Sequence, residues 1–227
     1  MPMSERLVLN LHGIGAPPSE VPADELRYWC SVMTFEALLD MVAPLSSDTG
    51  VPIEITFDDG NLSDATIALP ALVKRGLRAT FFVCAGRLGQ PGYVDAPALR
   101  EMLSAGMTIG SHGWQHVDWR RCDDAALQEE TQGALDAIGD ALGQTIDQVG
   151  VPFGSYDRRV LSRLRRCMLR AVFTSDGGRA PATGWLVPRH SYTDDWHEGK
   201  LRELATASDG LLAKAQRSLV RRLKQLR

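Results

Sequence analysis

Two short clusters hold the residues best equipped for chemistry. Asp58 and Asp59 are adjacent in "TFDDG", and His112 and His116 stand four apart in "SHGWQH". Neighbouring carboxylates repel, and burying either without a partner is costly. The pair is therefore either a solvated turn that caps a helix or a pair that faces a cation. Histidines at i and i+4 bring both rings to one face on a helical turn or a tight loop. Two such rings and one carboxylate make a three-ligand His2Asp site with a fourth position open to water or substrate, as a catalytic metal requires. Nitrogen and oxygen donors of this kind suit zinc, cobalt, nickel or iron without selecting strongly among them.

These residues need elements to bring them together. Ile53, Ile55 and Phe57 alternate with Glu54 and Thr56, so a strand runs into Asp58. Similar patterns predict strands over 6–12, 53–58, 78–84, 107–112, 146–153, 170–175 and 185–191. Helices are expected near 33–42, 62–75, 96–105, 123–142, 157–167 and 199–226. Gly76, Gly106 and Gly143 stand where helix-terminating glycines belong, and Pro70 should kink or divide the second helix. Strand–helix alternation favours a parallel sheet. The chain shows no linker, no internal repeat and no G-x-G-x-x-G after its first strand. The expectation is a single α/β domain over 1–227, a distorted (β/α)7 TIM-like barrel, closed or nearly so. In a barrel the chemistry sits where strands end. Those ends carry His12, Asp58 with Asp59, His112 with His116, the "PFGSYD" turn, Asp176, and Arg189 with His190.

"TFDDG" followed by "SHGWQH" resembles the first two motifs of the polysaccharide deacetylase family (NodB-homology, carbohydrate esterase family 4-like). "VPFGSYD" resembles its third motif, a proline-aromatic-glycine turn, and the likeness runs from about residue 50 to 190. The resemblance implies a distorted barrel, one divalent ion, usually zinc-like, and hydrolysis of N-acetyl groups on amino-sugar polymers. By the same resemblance Asp58 is the general base, and Asp59 joins His112 and His116 as a metal ligand. The backbone N–H of Phe153 then helps to hold the tetrahedral oxyanion.

The chain departs from the family pattern in two places. Many members carry an arginine just before the third-motif turn, paired with the catalytic aspartate; here Gly150 or Val151 stands there, and Arg189 is the candidate replacement. The family's late motif supplies a histidine that protonates the leaving amine, a role open to His12 or His190. In a regular strand Arg189 and His190 face opposite sides, and both could enter the site only if the strand ends at the proline or bulges. With Arg189 turned towards Asp58, His12 is the better placed, and the "GIG" after it would let a sugar approach closely. His190, Trp114 and Tyr156 remain candidate substrate contacts. Trp114 and Trp119 suit either stacking on sugars or core packing. Tyr156 and Asp157 also suit a turn and a helix cap. Asp176 suits orienting a histidine or Arg189, or forming a turn.

Composition narrows the remaining classes. A formal net charge of -3 over 227 residues gives no reason to expect nucleic acid. Cys30, Cys84, Cys122 and Cys167 form no C-x-x-C pair and read as reduced thiols. The first residues lack a signal-peptide h-region and no 18-residue apolar run occurs, so a cytoplasmic location is expected. Residues 199–227 read as a basic amphipathic helix, an outer barrel helix with a solvated face rather than a membrane-contacting one. Two other readings keep the fold. One is a hydrolase of a small amide or cyclic imide. The other is an inactive carbohydrate-binding module, disfavoured because Asp58, Asp59, His112 and His116 are all present.

Overall fold

The computed structural model describes residues 5–19, 21–197, 199–207 and Lys224. Apolar runs form β1 (Glu5–Leu11), β2 (Ile53–Phe57), β3 (Ala79–Val83), β4 (Thr108–Ser111), β5 (Gln148–Gly150) and β6 (Ala171–Thr174), parallel neighbours in chain order. A short β7 (Ala180–Pro181) lies antiparallel on the start of β1. The seventh stave comes in two pieces. β8 (Leu186–Pro188) pairs with β6, and β9 (His190–Ser191) pairs with β1 through Leu9↔His190 and Asn10↔Ser191. The barrel is nearly closed, the two pieces spanning this break. The strand expected over 185–191 is therefore interrupted at Arg189, whose N–H donates to Thr174 O at 2.9 Å and whose carbonyl accepts from Gly177 N at 3.0 Å.

The alternation of each strand sorts its residues into two layers. Leu7, Leu9, Leu11, Ile55, Phe57 and Phe81 belong to the large core beneath the helices, where the Phe57 and Phe81 rings stack 4.7 Å apart. Val8, Phe82, Phe173 and Val187 form a second buried cluster. Asn10, Thr56, Asp58 and Arg189 share the strand faces of that second set.

The six expected helices appear as seven among the described residues, with local changes. α1 (Val32–Thr49) is capped by Ser31, whose side chain accepts from Thr34 N. It continues past the expected stop at 42, through Pro44, because Val42 and Leu45 keep an apolar face buried. Pro70 does divide its helix: a π turn over 64–68 precedes α2 (Leu69–Lys74) and absorbs the missing donor. α3 (Ala96–Ser104) is capped by Asp95. The helix expected over 123–142 is α4 (Asp124–Gln128) and α5 (Ala134–Leu142), joined by a second π turn over 129–133. α6 (Arg158–Arg166) begins at Asp157, whose carboxylate accepts from Val160 N at 2.9 Å. α7 (Lys200–Thr206) covers the start of the last expected helix; the basic stretch beyond it, apart from Lys224, lies outside the described residues. All four cysteines are free thiols. No helix among the described residues is long and apolar enough to cross a membrane.

Candidate active site

Arg189 is fully buried, and a guanidinium there must be paired. Its Nη1 donates to Asp58 Oδ1 at 2.7 Å and its Nη2 to Asp58 Oδ2 at 2.8 Å, a fork-to-carboxylate pair. Nη1 also reaches Asn10 Oδ1 at 2.8 Å, and Asn10 Nδ2 donates to Asp58 Oδ2 at 2.8 Å. The guanidinium lies over the Phe82 ring, 5.2 Å from its centroid. Burial alone would raise the pKa of Asp58; the Arg189 charge and its hydrogen bonds outweigh it and hold the carboxyl well below the usual carboxylate range. Asp58 is thus a carboxylate at neutral pH. Gly150, one of the two residues standing where many family members carry the third-motif arginine, leaves little room for a side chain. A Cβ there would stand 3.0 Å from the Phe82 ring and 3.1 Å from His112 Nδ1.

Asp59 and Gly60 both take positive φ, 80° and 73°, and a Cβ on Gly60 would crowd Val83 at 3.0 Å. This turn separates the two carboxylates, one engaged by Arg189 and the other by the histidines. Asp59 Oδ1 lies 3.4 Å from His116 Nε2 and 3.8 Å from His112 Nε2. One ligand atom from each of the three residues falls within 4.8 Å of the others. Asp59 Oδ1 is buried and has no hydrogen-bond partner. An orphan acceptor between two imidazole nitrogens fits a divalent cation. His112 Nδ1 donates to Gly150 O at 2.8 Å, which leaves the Nε2 lone pair for a metal. Burial pushes the His112 pKa down to about 4 against the opposite pull of Asp58, so the ring is neutral.

His116 reaches this position from a loop, with φ 57°, rather than from a helix. Glu130, turned inward on the second π turn, holds that loop by accepting from Trp114 N and Gln115 N, both at 2.9 Å, and from Trp119 Nε1 at 3.2 Å. Four described non-glycine residues have positive φ, and three of them are Asp59, His116 and Phe153. Backbone strain of about 1–3 kcal/mol each is concentrated at this end of the barrel.

A cavity of about 120 Å³ opens onto Asp58, Asp59, His112 and His116. Its other walls are His12, Phe153, Ser175, Ser191 and the Glu25, Tyr28 and Trp29 side chains from the loop between β1 and α1. The His12 ring sits 4.9 Å from Tyr28, and its Nδ1 is buried without a hydrogen-bond partner. A second groove of about 850 Å³, lined in part by Trp114 and Arg121, shares His116 and Phe153 with the first.

Several expected residues lie elsewhere. The His190 ring accepts from Gly178 N at 2.8 Å through Nε2 and does not line the cavity; alternation sends it away as Arg189 turns inward. Tyr156, expected as a substrate contact, is buried and donates to Asp176 Oδ2 at 2.6 Å. Trp119 is fully buried core. Asp176 orients neither a histidine nor Arg189 but accepts from Tyr156, Thr174 and Lys224. Asn10, Glu130, Glu25 and Asp64 were not anticipated. Asn10 was recoverable, because it sits two residues before His12 on the same strand face. Glu130 carried no signal beyond being an acid in an amphipathic helix. Asp64 is fully buried with both carboxylate oxygens unpartnered. Burial, then Asp59 and Asp58, pushes its pKa well above the carboxylate range.

The sequence profile described as polysaccharide deacetylase matches residues 47–172. The chain is 30% identical over 110 residues to a chitin deacetylase of Pestalotiopsis sp, covering 48% of this chain and 37% of that one. It is 28% identical over 118 residues to the peptidoglycan-N-acetylglucosamine deacetylase PgdA of Listeria monocytogenes, covering 51% and 24%. The chain thus spans less than half the length of either relative. The fold superposes on the Streptococcus pyogenes deacetylase PplD, solved with acetate, with a TM-score of 0.75, 19% identity, and coverage of 89% of this chain and 99% of that one.

Proposed function

Because the chain belongs to the polysaccharide deacetylase family, we propose that it is a metal-dependent hydrolase removing N-acetyl groups from an amino-sugar polysaccharide or oligosaccharide. Such a reaction cleaves a carbon–nitrogen bond outside peptides. The observation that carries the reading is the unpartnered Asp59 Oδ1 beside two histidines, in one cavity with an Asp58 kept ionised by Arg189.

Asp59, His112 and His116 would hold one divalent ion, most suitably zinc, with cobalt, nickel and iron compatible with the same donors. When bound, such an ion lowers the pKa of water and polarises a carbonyl. Asp58 accepts the proton of the attacking water, and Arg189 and Asn10 hold its carboxylate in place. The Phe153 N–H donates to the oxygen that becomes negative as the acetamide carbon turns tetrahedral. As the C–N bond breaks, His12 delivers a proton to the departing amine, and acetate is left behind. Arg189 takes the place of the arginine that many family members carry before the third-motif turn. The neighbouring groove beyond Phe153, with Trp114 in its wall, suits sugars flanking the reacting one.

The test is to strip the protein of metal, reload it with each of the four ions, and measure acetate released from defined N-acetylglucosamine oligomers. Release with at least one ion is expected. Amine formation from a small amide or cyclic imide, with no acetate from any oligomer, would overturn the carbohydrate reading.

A further inference from the structure

The Pro152–Gly154 turn departs from helical geometry at its centre. Phe153 and Gly154 take consecutive positive φ values of 57° and 58°. One side of the turn rests on Ser175: a Cβ on Gly154 would meet Ser175 Cβ at 2.8 Å and Ser175 N at 3.0 Å. Ser175 in turn lines the cavity. The other side is held from the far end of the chain. Lys224 Nζ donates to Gly154 O at 3.2 Å and to Asp176 Oδ1 at 2.6 Å, and it lies 5.0 Å from the Tyr156 ring centroid.

We infer that Lys224 is a positioning residue of the active site, holding the Phe153–Gly154 turn through Gly154 O and the Asp176 carboxylate. This rests on the reading in which the Phe153 N–H stabilises the oxyanion. An exposed ion pair would do little, but the Asp176 side chain is only 4% exposed and already accepts from the hydroxyls of Tyr156 and Thr174. Lys224 is the cation among these partners. Without it, a buried carboxylate keeps two neutral donors among the described residues and the Gly154 carbonyl loses its ammonium. The turn is then free to relax from the left-handed conformation that fixes the direction of the Phe153 N–H.

The full-length, metal-loaded protein and its Lys224→Met and Lys224→Arg variants would be compared by acetate release, metal content and the amide resonances of ¹⁵N-phenylalanine-labelled samples. Phe153 is identified among the six phenylalanines by its loss in Phe153→Tyr. Lys224→Met should lower kcat about ten-fold, less than the 10²-fold or more expected when an oxyanion donor is lost outright. KM and bound metal should stay near wild type, the Phe153 resonance should shift, and Lys224→Arg should restore both kcat and resonance. A Lys224→Met variant with unchanged kcat and an unmoved Phe153 resonance overturns the inference. So does an equal loss in both variants accompanied by loss of metal. A shifted Phe153 resonance in a protein whose wild type releases no acetate would leave the clamp standing and remove the deacetylase reading instead.

Discussion

Asp58 and Asp59 are identical in chemistry and adjacent in the chain, yet their neighbours give them different work. Asp58 is forked by a buried guanidinium at hydrogen-bond distance, whereas Asp59 Oδ1 faces two imidazoles and, at 3.7 Å, the Arg87 guanidinium without a hydrogen bond to any of them. Asp58→Asn should therefore retain bound metal by elemental analysis while turnover falls roughly 10²-fold or more, since an amide cannot accept the proton. His116→Ala should do the reverse at the first step, losing most of the metal while circular dichroism stays native. Arg189→Met leaves a buried carboxylate unpaired and should destabilise the fold by about 3–5 kcal/mol in denaturant titrations. The sign with pH follows from the depressed pKa of Asp58. Its pairing stabilises the fold above the ordinary carboxylate pKa of about 4, and that stability is lost as pH falls further. Weakening the pair in Arg189→Lys raises the pKa, so the acid limb of the kcat/KM profile should move to higher pH. His12→Ala should cut turnover sharply, whereas His190→Ala, altering a residue turned away from the cavity, should be mild in the same acetate-release assay.

The strands place these residues with little slack. β5 carries Gly150, whose carbonyl orients His112 and whose missing side chain leaves room for Phe82. Gly150→Ala should push on both and weaken metal binding by about 10–100-fold, the range for disturbing a ligand's outer partner; competition with a chelator would measure it. Period-two alternation made the faces of these strands legible in advance, so His12, Asp58 and Arg189 could be assigned to one mouth from sequence. An end at Pro188 was one of the alternatives open from sequence, but the partners of the two halves were not legible, because β8 pairs with β6 and β9 with β1 across the barrel. The widened turn at 129–133 was hidden for a similar reason: Glu130 is drawn inward by N–H groups of the His116 loop, 16 and 15 residues earlier, which lie outside its own helix. Tyr156 was misplaced because a tyrosine beside a motif turn looks alike whether it faces a sugar or Asp176.

At the scale of the whole molecule, Asp64 sets a pH dependence separate from catalysis. Its folded-state pKa is raised by burial and by Asp59 and Asp58, so the folded chain binds this proton more tightly than the unfolded one. That contribution is complete below the unfolded value of about 4 and is lost as pH rises through the folded one. In metal-free protein, Asp64→Asn should raise Tm at pH 7, by about 2–4 °C for each kcal/mol relieved, with the gain vanishing near pH 4. The Arg189–Asp58 pair also bears on how the protein is made. The partners are separated by 131 residues, so at about 5–20 residues per second the ribosome needs roughly 7–26 s after Asp58 before Arg189 exists. Throughout that interval the nascent barrel lacks the cation that lets Asp58 be buried as an anion. Premature compaction around an unneutralised carboxylate is disfavoured, and docking of the last stave both completes the barrel and discharges the site. The buried pair therefore forms only once the last stave has docked.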